Sequence, residues 1–297
     1  SIIDGNKDTV IKTLKIAGER PYEIEINPQI KSAYITNIGD FRGVVNVIKY
    51  EEDEDYKYIQ VGNKPIDIAV NPTTKKVYVV NNGDGNVSVI DGTTNEWIKD
   101  IDVGDKPVRI DIDTKTHKIY VTNNGSNNVS VINGTTDEWI KDIDVGDKPI
   151  SVAVNPNTKK VYIGYSNSHE FSIINSIEDE LLVDNKGEEV KIGFYYPCPS
   201  DIAINLEKNH LYISFDCRDG IFLVNDKITS TSTNTTNDKI TSTSTKTTTL
   251  GKSNTNIAFN SVTNKIYVLD TESNLVYTKD ASELWSIIFI SINFSNK

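Results

Sequence analysis

The residues of this chain that could do chemistry fall in one recurring column. Two positions after each Pro of a Gly-x-x-Pro marker, or its equivalent, stand Glu23, Asp67, Arg109, Ser151, Asp201 and Asn256. In an extended strand, side chains two apart share a face. The next position on that face reads Glu25, Ala69, Asp111, Ala153, Ala203 and Ala258, while the positions between are nearly all Ile or Val. Acids and one guanidinium brought round a common axis would hold a cation or a polar ligand. The plainer alternative is a polar, water-filled channel. The ligand-binding assignment therefore names Glu23, Asp67, Arg109 and Asp201, and no catalytic residue. On this reading the Asp67 and Asp201 side chains lie outside the core, and changing both to Asn leaves folding intact.

Other chemistries find less support. His117 and His210 fall at the turn between the first two extended runs of their repeats, and His169 falls in a loop leaving the opposite face. Histidines so placed build neither a metal site nor a nucleophile–base pair. No Gly-x-x-x-x-Gly-Lys-Ser/Thr phosphate cradle occurs, and Asp53-Glu54-Asp55 reads as a solvated loop. A second set of oxygen-bearing residues lies in the loops after the tyrosine-centred runs: Asn37/Asp40, Asn82/Asp84, Asn124/Ser126, Asn167/Ser168, Asp216/Asp219 and Asp270/Glu272. Asx residues there are first of all turn formers. Oxygen-rich loops on one rim would also suit a calcium ion, but neither the EF-hand nor the nonapeptide calcium pattern is present, so no cofactor is assigned.

Charge and hydropathy narrow the partners. Lys+Arg 31 against Asp+Glu 42 gives a net charge of −11, which disfavours nucleic acid and anionic membranes. The apolar run around Ile287–Ile290 falls far short of the ~20 residues a membrane span needs. The chain has no Met, so Ser1 reads as a processed or trimmed start, consistent with a removed signal peptide.

The elements that must position these residues come from a repeat. Asn86 to Pro107 and Asn128 to Pro149 differ only at Asp91/Asn133 and Asn95/Asp137, which marks a tandem structural unit. The marker recurs at Gly18–Pro21, Gly62–Pro65, Gly104–Pro107 and Gly146–Pro149, and degrades to Gly193…Pro199 and Gly251–Asn254. Each marker leads into an alternating run, an Asn-Pro-type turn, and a run centred on Tyr34, Tyr78, Tyr120, Tyr162, Tyr212 or Tyr267. A third run follows, and a fourth carries Trp97, Trp139 or Trp285. Runs of 4–8 β-branched or aromatic residues bounded by turn formers predict strands. Four strands per repeat, with no helical periodicity, is β-propeller spacing: an all-β chain of four-stranded antiparallel blades. The tyrosine and tryptophan columns read as packing between blades and on the outer strands.

Tyr120-Val121-Thr122-Asn123, the near match Tyr34-Ile35-Thr36-Asn37 and the phrase Val154–Tyr162 resemble the YVTN β-propeller repeats of archaeal and bacterial surface proteins. The resemblance covers nearly the whole chain and departs in the last two repeats, at Ile213–Phe215 and Val268–Asp270. It implies a cell-surface or extracellular binding or scaffold propeller whose partner is a protein or glycan. Some propeller lactonases and lyases use a bound metal with carboxylates, which Glu23, Asp67 and Asp201 would imitate. A structural role in a surface coat is the other alternative.

Residues 1–17 align with a third and fourth strand, so six repeats plus a half are present. Seven blades are preferred over six, within one domain spanning 1–297. At least six full blades about one axis are expected, with Ser1–Ala17 pairing at the seam. The Ser/Thr-rich segment at 225–250 interrupts blade five as an expanded loop, long hairpin or glycosylated protrusion. Six Asn-x-Ser/Thr sequons, at Asn86, Asn124, Asn128, Asn133, Asn234 and Asn293, suit an exported chain, although a sequence rich in Asn, Ser and Thr also makes them by chance. Cys198 and Cys217 are expected to form a disulfide. If Asn205 pairs with His210, facing residue numbers sum to 415, as 198 and 217 do. Oligomeric state is not legible.

Overall fold

The computed structural model describes residues 2–4, 9–13, 16–18, 20–39, 42–49, 56–166, 168–183, 189, 191–193, 199–215, 221–225, 254–261, 263–270 and 275–281. The described chain is built from antiparallel sheets, with no α-helix. It divides into two compact units, residues 1–101 and 102–297, each described by itself below.

Six sheets begin with a strand that follows the marker: Pro21–Asn27, Pro65–Asn71, Pro107–Ile112, Pro149–Asn155, Pro199–Asn205 and Asn254–Asn260. They are called blades one to six. Blades one to three run as four antiparallel strands in sequence order. In blade four the third strand, Glu170–Asn175, pairs with two separate pieces, Glu180–Leu181 and Lys191–Gly193, so the fourth strand is split by an insertion. Blades five and six show three strands each among the described residues. Residues Ile2–Asp4 and Thr9–Lys12 pair with each other as a separate two-stranded sheet, and among the described residues they pair with no blade, so the expected seam is not seen. The Ser/Thr-rich segment, Trp285, Asn234 and Asn293 lie outside the described residues.

Each residue of the Tyr-Val-Thr-Asn tetrad has its own task. Tyr120 donates to Asp179 Oδ1 at 2.8 Å and to the Ser176 carbonyl at 3.4 Å, both in the next blade's turn. Burial, then the Asp179 charge, pushes its phenol well above the usual tyrosine range. Tyr34 does the same in the first unit, donating to Asn95 Oδ1 and the Gly92 carbonyl. A phenol whose rim is hydrogen-bonded and whose ring is buried ties one blade to the next. Val121 is fully buried. Thr122 accepts the Arg109 amide at 3.2 Å, as Thr36 accepts that of Glu23. Asn123 donates to Ser130 Oγ and Asn128 Oδ1, both at 2.8 Å.

Packing follows the same repeat. Within the first unit, Tyr34, Val45, Val47 and Ile59 of blade one form a core with Ile68, Val77, Val79 and Ile90 of blade two. In the second unit, equivalent cores join blades three and four, four and five, and five and six. The expected role of the tyrosine column as blade-to-blade packing holds within the units at Tyr34, Tyr120, Tyr162 and Tyr212, none more than 1 % exposed; Tyr78 is fully buried as well.

The turns show why the two near-identical repeats differ where they do. Asp91 Oδ1 accepts the amides of Thr93 and Thr94, and Asn133 Oδ1 accepts those of Thr135 and Thr136. Asn95 and Asp137 both sit at φ 57°. Asn and Asp serve equally as Asx caps and are the non-glycine residues best suited to the left-handed region. Both exchanges are therefore neutral to the fold.

Candidate binding site

A bulge positions the acidic column. In each blade, the register between first and second strands shifts just after the marker: between Pro65 and Asp67, Pro107 and Arg109, Pro149 and Ser151, and Pro199 and Asp201. A bulge re-aims the side chain that follows it. Here it turns the acids onto backbone amides. Asp201 Oδ1 accepts the Ile202 amide at 2.9 Å and its Oδ2 accepts the Ile257 amide of blade six at 3.1 Å. Asp111 behaves alike one step along its strand, accepting Ile112 at 2.7 Å and Val154 of blade four at 2.7 Å. Each carboxylate thus staples its own first strand to the neighbour's. Asp67 accepts the Ile68 amide at 3.0 Å and is buried, and half-buried Glu23 accepts the Ile24 amide. Arg109 is half-buried in blade three.

These contacts correct the expectation that Asp67 lies outside the core. The first-strand carboxylates serve as acceptors for backbone amides, Asp67 buried and Asp111 and Asp201 half-buried. Glu23 and Asp67 lie in the first unit, Arg109 and Asp201 in the second. Among the described residues, no group of three or more His, Cys, Asp or Glu is placed to hold a metal ion.

Burial is the main cause that raises the Asp111 carboxyl from 3.8 to about 6. The two amide bonds oppose the shift, and the charges of Asp201 and Asp113 add to it. Between those values the folded protein binds a proton that the unfolded chain has released. Stability from this group is therefore greatest below pH 4, falls as pH rises to about 6, and is flat above, a change of about 3 kcal/mol. Urea unfolding across pH 4–7 is expected to show this decline, and Asp111→Asn is expected to remove it. An unchanged slope in that variant would assign the decline elsewhere.

The cysteine pairing loses its geometric basis. Blade five keeps the expected register from Asn205↔His210 to Asp201↔Ser214, but the bulge then sets Pro199 against Phe215. Facing numbers there sum to 414 rather than the 415 on which the expected pairing rests. Cys198 and Cys217 themselves lie outside the described residues. Of the sequons, Asn86, Asn124, Asn128 and Asn133 are half-buried. Asn86 and Asn128 accept from Asn81 and Asn123.

The loop rim carries a second feature, one that the residue columns do not reveal. A cleft of about 750 Å³ opens in the first unit between blades one and two. Half-exposed Tyr58 and Trp97 face it from the two fourth strands. Arg42 and Asp84, from loops after second strands, and Asn63, from the marker loop, border it. Asp84 Oδ2 accepts the Asn63 amide at 2.7 Å, fixing that edge. Trp97 donates through Nε1 to Asp100 Oδ1 at 3.0 Å, and the same oxygen accepts Ser88 Oγ at 2.6 Å. Ser88 in turn accepts Asn81 Nδ2 at 2.8 Å. Asn123, Ser130, Asp142 and Trp139 repeat this chain in the second unit. Tyr58 pairs with Asn46 across its sheet, at the place where Asp142 pairs with Ser130. The aromatic at that place is thus an exception to the repeat. Aligning blade one's fourth strand with the others would have shown it, but the preceding acidic run obscures the register.

The sheets and their packing define a β-propeller. No protein-family model matches the chain, and no curated protein matches it. Many solved structures share the fold, among them these two. One is the hydrazine synthase of Kuenenia stuttgartiensis, at 16% identity and TM-score 0.58, covering 94% of this chain and 99% of that one. The other is a functionally unknown protein from Desulfotomaculum acetoxidans DSM 771, at 13% identity and TM-score 0.67, covering 92% of this chain and 86% of that one. At these identities the likeness speaks for the fold alone.

Proposed function

We propose that the protein is a non-enzymatic binding or scaffold propeller of the cell surface or extracellular space, akin to the YVTN-repeat surface proteins and seven-bladed. Its partner is a protein or glycan met by the loop-bearing face. The observation that carries this reading is the commitment of the first-strand carboxylates. Asp111 and Asp201 spend both oxygens on backbone amides and buried Asp67 spends one, which leaves them poorly placed to act as bases or metal ligands. That weighs against the lactonase-like alternative. Chemistry needs a proton acceptor within reach of substrate, whereas recognition needs only a shaped, polar rim.

Two measurements test the proposal. Incubation of the chain with lactones and esters in the presence of Ca²⁺, Mg²⁺ or Zn²⁺ is expected to give no saturable turnover. Antibody against the chain is expected to label intact, unpermeabilised source cells. Metal-dependent lactone hydrolysis, or labelling only after permeabilisation, would overturn the reading.

A further inference from the structure

We infer that the cleft between blades one and two is a binding site for a neutral, pyranose-containing glycan, with Trp97 and Tyr58 as its stacking surfaces. This deepens the proposed binding role and rests on it, since the cleft lies on the loop-bearing face.

A pyranose ring offers an apolar C–H face edged by hydroxyls, so its site needs an exposed flat aromatic beside planar hydrogen-bonding groups. The cleft supplies both. Trp97 is 50% exposed and Tyr58 is 56% exposed, and Gln60, Asn63 and Asp84 stand around them. The volume, about 750 Å³, is in the range of small-molecule sites.

The indole is held in place before any ligand arrives. Its Nε1 is bound to Asp100, which is anchored through Ser88 to buried Asn81. An aromatic whose orientation is already fixed loses little conformational freedom on binding, and exposed aromatics of this kind make efficient contact surfaces. Folding alone does not call for an exposed aromatic opposite this indole, because blades two and three carry Asp100 and Asp142 where blade one carries Tyr58.

Charge selects the ligand class. Asp84 and Asp100 disfavour an anionic sugar, and Arg42 opposes a cation seated between the rings. An acyl chain or apolar peptide would need a dry groove, whereas this lining is rich in polar groups. A neutral saccharide satisfies all three conditions.

Trp139 provides an internal control. It sits in a near-identical repeat with the same Asp142 anchor and the same 50% exposure, and it does not line the cleft. The full chain is titrated with cello-, malto-, chito- and manno-hexaose and followed by calorimetry and tryptophan fluorescence. At least one oligosaccharide is expected to bind. Trp97→Ala and Tyr58→Ala should each weaken it at least tenfold, and Trp139→Ala less than twofold. If Trp97→Ala melts well below the parent, Arg42→Ala and Gln60→Ala replace it, each with an expected loss of about threefold. Absence of binding by all four oligosaccharides, or equal losses from Trp97→Ala and Trp139→Ala, overturns the inference. Neither result bears on the wider binding role, which fails instead on lactone turnover or intracellular confinement.

Discussion

Asp201→Asn is expected to lower the unfolding free energy by about 3 kcal/mol. The wild-type carboxylate accepts two backbone amides, those of Ile202 at 2.9 Å and of Ile257 in the adjoining blade at 3.1 Å. Bonds from amides to a charged acceptor contribute about 1.5–3 kcal/mol each. The amide side chain keeps one acceptor oxygen and turns its NH₂ toward the other donor, so one first-strand amide loses its partner beside buried Ile202 and Ile257. The same change removes a negative charge that raises the Asp111 carboxyl, so the Asp111 midpoint should fall from about 6. Urea unfolding with an unchanged m-value measures the first effect, and ¹³C NMR titration of Asp111 measures the second. Ser151 occupies the equivalent place in blade four, and its fully buried hydroxyl has no hydrogen-bond partner among the described residues. Ser151→Ala should therefore be neutral or slightly stabilising. A loss as large in Ser151→Ala as in Asp201→Asn would show that the position matters only as packing.

Gly104→Ala should cost a similar amount by a different route. A Cβ there would lie 2.7 Å from Asn123 Nδ2 and 2.8 Å from its Cβ and Cγ. Asn123 is fully buried and holds Ser130 and Asn128, so it has no room to retreat without breaking the chain that ends at Trp139. Overpacking costs about 1–3 kcal/mol, and an uncoupled Asn adds the loss of a buried hydrogen bond. Gly62→Ala meets Asn81 at 2.6 Å and should behave alike. In blade four the facing residue is Tyr165, whose ring carbons lie 3.1 Å from the built Cβ. Gly146→Ala should thus be the mildest of the three. Thermal unfolding of the three variants checks the order. A Gly146→Ala melting point below that of Gly104→Ala contradicts it.

The fold was legible because it is written several times. One blade's strands are ambiguous, but the same tyrosine, marker and turn at a fixed offset leave one architecture. Local departures were not legible. The expected Cys198–Cys217 opposition assumed a continuous ladder, and the bulge after Pro199 breaks it, although an equivalent bulge follows every marker. Alternation along a strand shows which face a residue takes but not what lies opposite. Asp67 and Asp201 therefore read as open ligands, although their oxygens meet backbone amides. The cleft failed to register for the converse reason. Trp97 and Trp139 are equivalent in sequence, and Tyr58, from a different blade, sets their surroundings apart.

The near-identity of Asn86–Asp102 and Asn128–Asp144 also bears on how the chain reaches its fold. Each hairpin made of a third and a fourth strand presents almost the same edge, so it is a competent partner for the second strand of either blade two or blade three. Only the two turn exchanges distinguish them, and both are neutral to pairing. A refolding chain therefore has a stable, wrongly threaded alternative in which one hairpin has displaced its twin, a hazard characteristic of repeat proteins. Synthesis from the N-terminus resolves the choice by order of emergence, since the hairpin at 86–102 leaves the ribosome while its twin is still inside. Refolding from denaturant removes that advantage. Recovery of native protein should accordingly be lower from dilution than from translation.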